Sequence, residues 1–569
     1  MSTIAYLPLV GALAILFAPR ASSELPRTIA LIASLAAFVL SLVMLFAFDR
    51  NAEFQFVEQV VWLDDLGVSY FMGVDGIAVL LIALTTLLSL IAIWWSWGTI
   101  RERTREYYIA MLLLETGMLG VFMALDLFVF YIFWELVLIP MALLIGIWGS
   151  TDRVYAAVKF FLYTLFGSLL MLVAIVATYQ SYFNDTGIRT LNVLELQTGT
   201  YGTTFQFWVF AAFFLAFAVK VPMFPFHTWL PDAHVQAPTA ASVILAAVML
   251  KMGGYGLLRF NLPLFPDGTD AWSVTIIVLS IIGIIYGALV ALVQPDMKKL
   301  VAYSSVSHMG FVTLGIFILN QQGLDGAMMV MLAHGFNTGA LFLLVGVVYE
   351  RAHTREIRAF GGMATQMPVW SAYFALFMFA SIGLPGLSGF VGEFLVALGT
   401  WEYNRWAAVV TFAVVIFAAW YMLWLFQRVA FGRAWGQPPD PGDTQLTPEE
   451  QAQLGRHLDS YGVEHGTYDT GEQGGLHQRT SPVSGGDHDA DPHQDPVGVH
   501  APPRDTDRPA HEGQIDSTPW PDVTPGEHLA LLPLAILTIV FGVYPKPILD
   551  IVGPSFQAIL DGAVRVIGN

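Results

Sequence analysis

Six ionisable side chains interrupt runs of apolar residues. They are Glu135 in FYIFWELVLIP, Lys220 in FAVKVPMFPFHTW, Lys251 in LAAVMLKMGG, His308 in YSSVSHMGF, His334 in MLAHGFN and Glu393 in IGLPGLSGFVGEF. An ionised group at the centre of a bilayer costs about 2.5–3.5 kcal/mol on insertion scales, so such residues face protein or water and keep partners. Taken singly, each has a structural explanation. A Glu–Lys pair can hold two helices together, and a lone imidazole can be a satisfied interhelical donor. For His334, and for Glu115 in LLLETGML, structure and function weigh about evenly. Taken together the structural explanation loses ground, because apolar side chains would hold the helices as well. Carboxylate, ammonium and imidazole groups in series have the chemistry of a proton relay. Lysine suits such a series because burial and a neighbouring charge strongly alter how it holds its proton.

Two of the six stand beside built-in breaks. Pro222 and Pro225 follow Lys220, and Pro385 with Gly386 precedes Glu393. Proline removes a backbone donor and frees a carbonyl, which inside a membrane is tolerated only against protein or water. Discontinuous helices that carry an ionisable residue are a recurring device of transporters. The spacing adds a second pattern: Glu135 and His308 are 173 residues apart, and so are Lys220 and Glu393.

The elements that must position these groups are membrane helices. The 569-residue chain is 56% hydrophobic and 12% charged with a mean hydropathy of +0.62, whereas a soluble protein carries about 25% charged residues. Cysteine is absent, which excludes disulfides and cysteine-ligated iron–sulfur clusters. About fourteen stretches approach the roughly 20 apolar residues that cross a bilayer. They are residues 4–18, 28–48, 74–95, 108–125, 127–148, 155–179, 205–226, 239–260, 271–293, 300–319, 326–349, 369–398, 407–431 and 529–544. The opening residues lack a basic n-region, so the first stretch is expected to be a retained span. Cations follow odd-numbered spans: Arg20, Arg27, Arg101, Arg103, Arg105, Arg153, Lys298, Lys299, Arg351, Arg355 and Arg358. Those loops are expected on the cytoplasmic side, with both termini outside.

Numbered in this order, the repeated spacing maps span five onto span ten and span seven onto span twelve. The expected fold is therefore an all-α polytopic membrane protein with two inverted five-helix repeats, spans 4–8 and 9–13, in which helices 7 and 12 are broken. The expected organisation is 1–107 for the first three spans, 108–260 and 271–432 for the repeats, 433–527 for a cytoplasmic insertion and 528–569 for the last span. Residues 436–526 hold 17 Asp or Glu, 4 Arg, no Lys and seven His, so most of the formal charge of −18 is local. Rich in Pro and Gly and without hydrophobic periodicity, the insertion is expected to be a disordered, solvated linker rather than a metal site. Its acidity gives no reason to expect a nucleic-acid partner.

The motifs FWELVLIP, KVPMFPFHTWLPDAHVQAPT, KMGGYGLLR, AYSSVSHMGF and LPGLSGFVGEF resemble the antiporter-like subunits of respiratory complex I, the NADH:quinone oxidoreductase, over most of the chain. That resemblance implies fourteen helices in inverted repeats, in a bacterial cell membrane, and proton translocation coupled to NADH oxidation and quinone reduction elsewhere. It implies no cofactor or metal in this chain, with FMN, iron–sulfur clusters and quinone in partner subunits. Glu393 is similar to the chain M (subunit 4) type, where the broken twelfth helix carries Glu; the chain L and chain N types place Lys there and are the implied neighbours, with small membrane subunits. By the same resemblance Glu135 and Lys220 form a coupled pair, Lys251 bridges the halves, His308 and His334 relay, and Glu393 is the terminal exchange group. The insertion departs from the family pattern. A multisubunit cation/proton antiporter subunit is the alternative, and Na⁺ as the coupled ion stays open.

Overall fold

A computed structural model describes residues 1–19, 24–51, 53–432 and 520–567. Most of the sequence between 433 and 527 therefore lies outside the described residues. The described chain is helical except for one hairpin and short connections. In order the helices are α1 (Ser2–Phe17), α2 (Glu24–Ala47), α3 (Gly76–Thr99), α4 (Thr104–Met123), α5 (Leu127–Trp148) and α6 (Arg153–Thr186). Next come α7 (Thr203–Lys220), α8 (Trp229–Gln236), α9 (Thr239–Leu264), α10 (Pro266–Leu292), α11 (Met297–Phe317) and α12 (Gln321–Ala352). The series closes with α13 (Pro368–Ile382), α14 (Ser388–Tyr403), α15 (Arg405–Ala430), α16 (Pro525–Val543) and α17 (Lys546–Ile567).

Twelve of the described helices are long and apolar enough to cross a membrane. The two expected spans outside that set are the 16-residue α1 and the span at 369–398, which is divided between α13 and α14. The other expected break, at 205–226, is also present: α7 stops at Lys220 and α8 begins at Trp229. The all-α expectation missed a hairpin, β1 (Gln55–Leu63) with β2 (Val68–Val74), antiparallel, lying in a loop between spans. It also missed α17, an amphipathic helix after the last span. The bundle resumes before the expected boundary at 528. Asp522 accepts from the backbone of Val369 and Trp370 at the start of α13, and Thr524 forms a capping box with Glu527 on α16.

Burial separates the helices into two kinds. The apolar windows of α9 and α12 are buried along their whole length, whereas only about a third of those in α2, α15 and α16 is buried. A helix that is apolar all round belongs inside a bundle or against lipid; α9 and α12 are surrounded by protein, and the outer helices turn apolar faces outward. α12 packs against α11, α13, α14, α16 and α17. The two innermost helices carry Lys251 and His334.

Charge marks the two ends of the bundle. At one end, Glu58 of the hairpin meets the amino group of Met1 at 2.5 Å, and α17 reaches the same region through Ser555, which accepts from Gly76 N at 3.2 Å. At the other end lie Lys298, Arg351 and Arg355. Each end also has a capping aspartate joined to a later loop. Asp126 caps α5 and is bridged to Asn192 before α7; Asp296 caps α11 and is bridged to Glu356 before α13.

Candidate functional site

The chain itself makes room for charge in α5, α7, α9, α12 and α13–α14. Regular helix in α5 is interrupted at Val137, two residues beyond Glu135, where Pro140 leaves the Leu136 carbonyl without its helical donor. Tyr131, one turn earlier, interacts with both Glu135 and Ser168, while Glu135 Oε1 is buried with no hydrogen-bond partner among the described residues. Lys220 is the last residue of α7. Its ammonium stands 5.1 Å from the Trp134 ring centroid and 6.0 Å from that of Phe160, a desolvated cation–π arrangement. Glu135 acts on this ammonium electrostatically, without a direct ion pair among the described contacts. The break after Lys220 is supported by Trp229, whose indole N–H donates to the Val219 carbonyl at 2.9 Å.

α9 is irregular around its charge. Wide π turns at Leu245–Met249 and Leu257–Asn261 flank the segment carrying Lys251, and such turns are frequent at functional sites. Lys251 Nζ donates to the Ala246 carbonyl at 2.8 Å and lies 2.7 Å from His334 Nδ1 on α12. Gly253 lets α9 press on the α7 break: a Cβ there would lie 2.6 Å from Val221 Cγ2 and 2.8 Å from the Phe217 carbonyl oxygen. The Lys220 and Lys251 helices are thus locked backbone to backbone.

The second half holds a direct chain of contacts. The His334 and His308 rings are 5.7 Å apart, edge to face. His308 Nδ1 lies 2.9 Å from Glu393 Oε1, and Nε2 lies 3.1 Å from Ser381 Oγ on α13. α13 ends in Gly383, whose φ of +86° is a left-handed cap that disfavours a side chain, and Glu393 Oε2 closes on this turn. Lys251, His334, His308 and Glu393 therefore converge on one buried cluster, while Lys220 lies apart from it over Trp134 and within the electrostatic reach of Glu135. Glu115 belongs to neither; it accepts from Ser34 Oγ of α2 at 3.2 Å.

Four buried polar residues lie outside the expected relay set, Lys298 among them having been read as an ordinary loop cation. His234 on α8 is fully buried, stacks on Phe342 at 4.6 Å, and has neither ring nitrogen hydrogen-bonded among the described residues. Lys298 is buried and donates to the Ala237 carbonyl at 2.5 Å. It lines a cavity of about 200 Å³ with Ser150, Gln236, Glu350 and Arg355 at the cation-rich end. Asp75 and Arg259 form a buried ion pair; Arg259 Nε also donates to Tyr255 Oη at 3.3 Å, and the pair borders a cavity of about 460 Å³ near the hairpin end. His234 sits in a motif quoted for its resemblance, so its type was visible. Asp75 and Arg259 stand at the ends of expected spans, where a charge reads as an ordinary interfacial residue.

Residues 124–418 match the family model described as NADH:quinone oxidoreductase/Mrp antiporter, TM. The chain belongs to that family. It is 52% identical over 445 residues to NADH-quinone oxidoreductase subunit M of Rhodobacter capsulatus, covering 76% of this chain and 86% of that one. It is 46% identical over 434 residues to NADH-ubiquinone oxidoreductase chain 4 of Arabidopsis thaliana, covering 76% and 86%. Among solved structures, a chain of respiratory complex I from Thermus thermophilus superposes with a TM-score of 0.77 at 28% identity, covering 99% of both chains. A chain of the Mrp complex from Dietzia shares the fold, with a TM-score of 0.76 at 21% identity over 100% and 99%.

Proposed function

We propose that Glu135, Lys220, Lys251, His308, His334 and Glu393 are the proton relay of this chain, a proton-translocating membrane-arm subunit of NADH:quinone oxidoreductase. The observation that carries the reading is the Lys251–His334 contact of 2.7 Å next to the His308–Glu393 contact of 2.9 Å. In each contact two proton-holding groups meet directly in a buried environment. The donor set favours protons over Na⁺: an ammonium offers no lone pair to a cation, and a sodium site calls for several oxygen ligands.

The relay divides between two inverted halves. The capping aspartates support this division, because Asp126 and Asp296 each join a loop before a broken helix but stand at opposite ends of the bundle. On this reading Glu135 tunes Lys220 in the first half, His308 and Glu393 occupy the equivalent positions in the second, and Lys251 bridges them. His234 joins the path between the cation-rich cavity and Lys251, both of whose neighbourhoods it borders electrostatically through Lys298 and Lys251. That end is assigned to the cytoplasm of a bacterial cell, with both termini outside. Flavin, iron–sulfur clusters and quinone belong to partner subunits, and chain L-like and chain N-like subunits are the neighbours within the membrane arm. Conformational or electrostatic changes there drive the relay.

A cation/proton antiporter subunit is the second reading, favoured by the shared Mrp fold. The 52% identity to subunit M, covering 86% of that protein, favours the first. Purification from native membranes tests the choice: NADH-oxidising and quinone-reducing subunits must accompany this chain, and their absence from an active, intact preparation would reject it. For the relay itself, Glu135→Gln and Lys220→Ala must abolish redox-driven pumping in an assembled complex.

A further inference from the structure

The step between the two histidines is the one place where the second-half cluster has no direct hydrogen bond. His334 Nε2 is buried and has no partner among the described residues. Beside it lies a cavity of about 10 Å³, bordered by His308, His334, Asn337, Ser381, Gly389 and Glu393. That is room for about one water molecule, and a buried water needs two to four polar partners. Asn337 follows His334 by three residues on α12 and so shares its face. Its Oδ1 accepts from Thr538 Oγ1 of α16 at 2.8 Å, with both side chains buried. Its Nδ2 would lie 3.5 Å from a Cβ at Gly389, on the first turn of α14.

We propose that one water occupies this cavity, held by Asn337, and carries the proton from His334 to the His308–Glu393 pair, and that Thr538 of α16 fixes Asn337 for this task. The inference rests on the relay reading. When Lys251 is protonated it has only donors, so His334 Nδ1 accepts and the ring proton sits on Nε2. Transfer of the Lys251 proton to Nδ1 releases the Nε2 proton to the water. The water passes a proton to the Glu393 carboxylate or to a neutral His308, and is itself unchanged. One proton goes in, one goes out, and His334 is left in its other tautomer. Asn337 is a positioning residue: its side-chain amide accepts from Thr538 at one end and has donors at the other. The consequence is that α16, the helix that follows the acidic insertion, is tied to the centre of the relay by a single hydrogen bond.

The test uses the full assembled complex in membrane vesicles, with pumping measured per assembled complex and a high-resolution structure showing water density. Asn337→Leu fills the cavity and removes the water; pumping is expected to fall about tenfold, the weight of one ordinary hydrogen bond in the transfer step. Thr538→Val keeps shape and removes the hydroxyl, for a loss of about threefold, the worth of an average interhelical bond in membrane. Asn337→Ser retains a polar group and space for water, and is expected to restore most of the activity. A helix-packing role alone would lower assembly in all three variants and leave pumping per complex and its solvent isotope effect unchanged; that result overturns the inference. So does a dry cavity in the wild-type structure. If Lys251→Met or Glu393→Gln also pumps normally, the relay reading has failed; if those two are inactive while Asn337→Leu pumps normally, only the water assignment has failed.

Discussion

Replacing Lys251 with Met separates the proton-holding role of this residue from its place in the packing. Met keeps the length and volume of the side chain and removes the ammonium. Two contacts vanish, at 2.8 Å to the Ala246 carbonyl and 2.7 Å to His334 Nδ1. An acceptor left unsatisfied in a buried site costs about 1–3 kcal/mol. Against this, the buried ammonium no longer has to be held out of water, a penalty of several kcal/mol for an ion in protein. The terms oppose, so the complex is expected to assemble near wild-type level. The transfer step has no such compensation. A positioned acid–base group contributes about 10²–10⁴-fold, or roughly 3–5 kcal/mol of barrier at 1.36 kcal/mol per decade. NADH-driven acidification of inverted membrane vesicles, normalised to assembled complex on native gels, is the assay. The expected result is normal assembly with pumping reduced about a hundredfold or more. Wild-type pumping by a normally assembled Lys251→Met complex refutes the assignment.

Further outcomes follow from other buried contacts. Asp75→Ala leaves Arg259 unpaired inside the protein and is expected to cost about 3–5 kcal/mol, seen as a lower yield and melting temperature of the purified complex. Asp75→Asn with Arg259→Met should recover part of that loss. Gly253→Val drives a side chain into Val221 and the Phe217 carbonyl, an overpacking of about 1–3 kcal/mol; thermal denaturation reads it, and an unchanged midpoint would show that α7 and α9 are not in contact. His234→Phe preserves the stack on Phe342 but removes both ring nitrogens, so pumping is expected to fall about tenfold or more at normal assembly. Unchanged pumping removes His234 from the path.

Much of the fold was legible because hydrophobic length is a strong signal in a membrane and because a charge within such a run stands out. Glu135, Lys220, Lys251, His308, His334 and Glu393 were each visible on that ground, and the two equal spacings matched Glu135 with His308 and Lys220 with Glu393; the direct contact of His308 with Glu393 is a long-range pairing that only the fold reveals. What stayed hidden has physical reasons. β1 is largely exposed and lies outside the membrane spans, where no periodic apolar stripe marks it. The Asp75–Arg259 pair joins the N-cap of α3 to the last turns of α9, a long-range contact between two residues that each look like ordinary span flanks. Asn337 and Thr538 are polar but uncharged, cheap enough in a membrane to pass as packing residues until a cavity appears beside one of them. The 520–527 segment was read with the acidic insertion because of its Pro and Asp content. Its role as an anchor depends on Arg351, which binds the Glu527 carboxylate at 3.0 Å and the carbonyls of Pro521 and Asp522.

The central claim, that buried acid–base groups in the two halves act as one proton path, is tested most directly by the number of protons pumped per NADH oxidised in vesicles carrying Glu135→Gln together with Lys220→Ala. The expected result is a complex that assembles and transfers electrons when uncoupled but no longer pumps. A proton-to-electron ratio equal to that of the wild type contradicts the account.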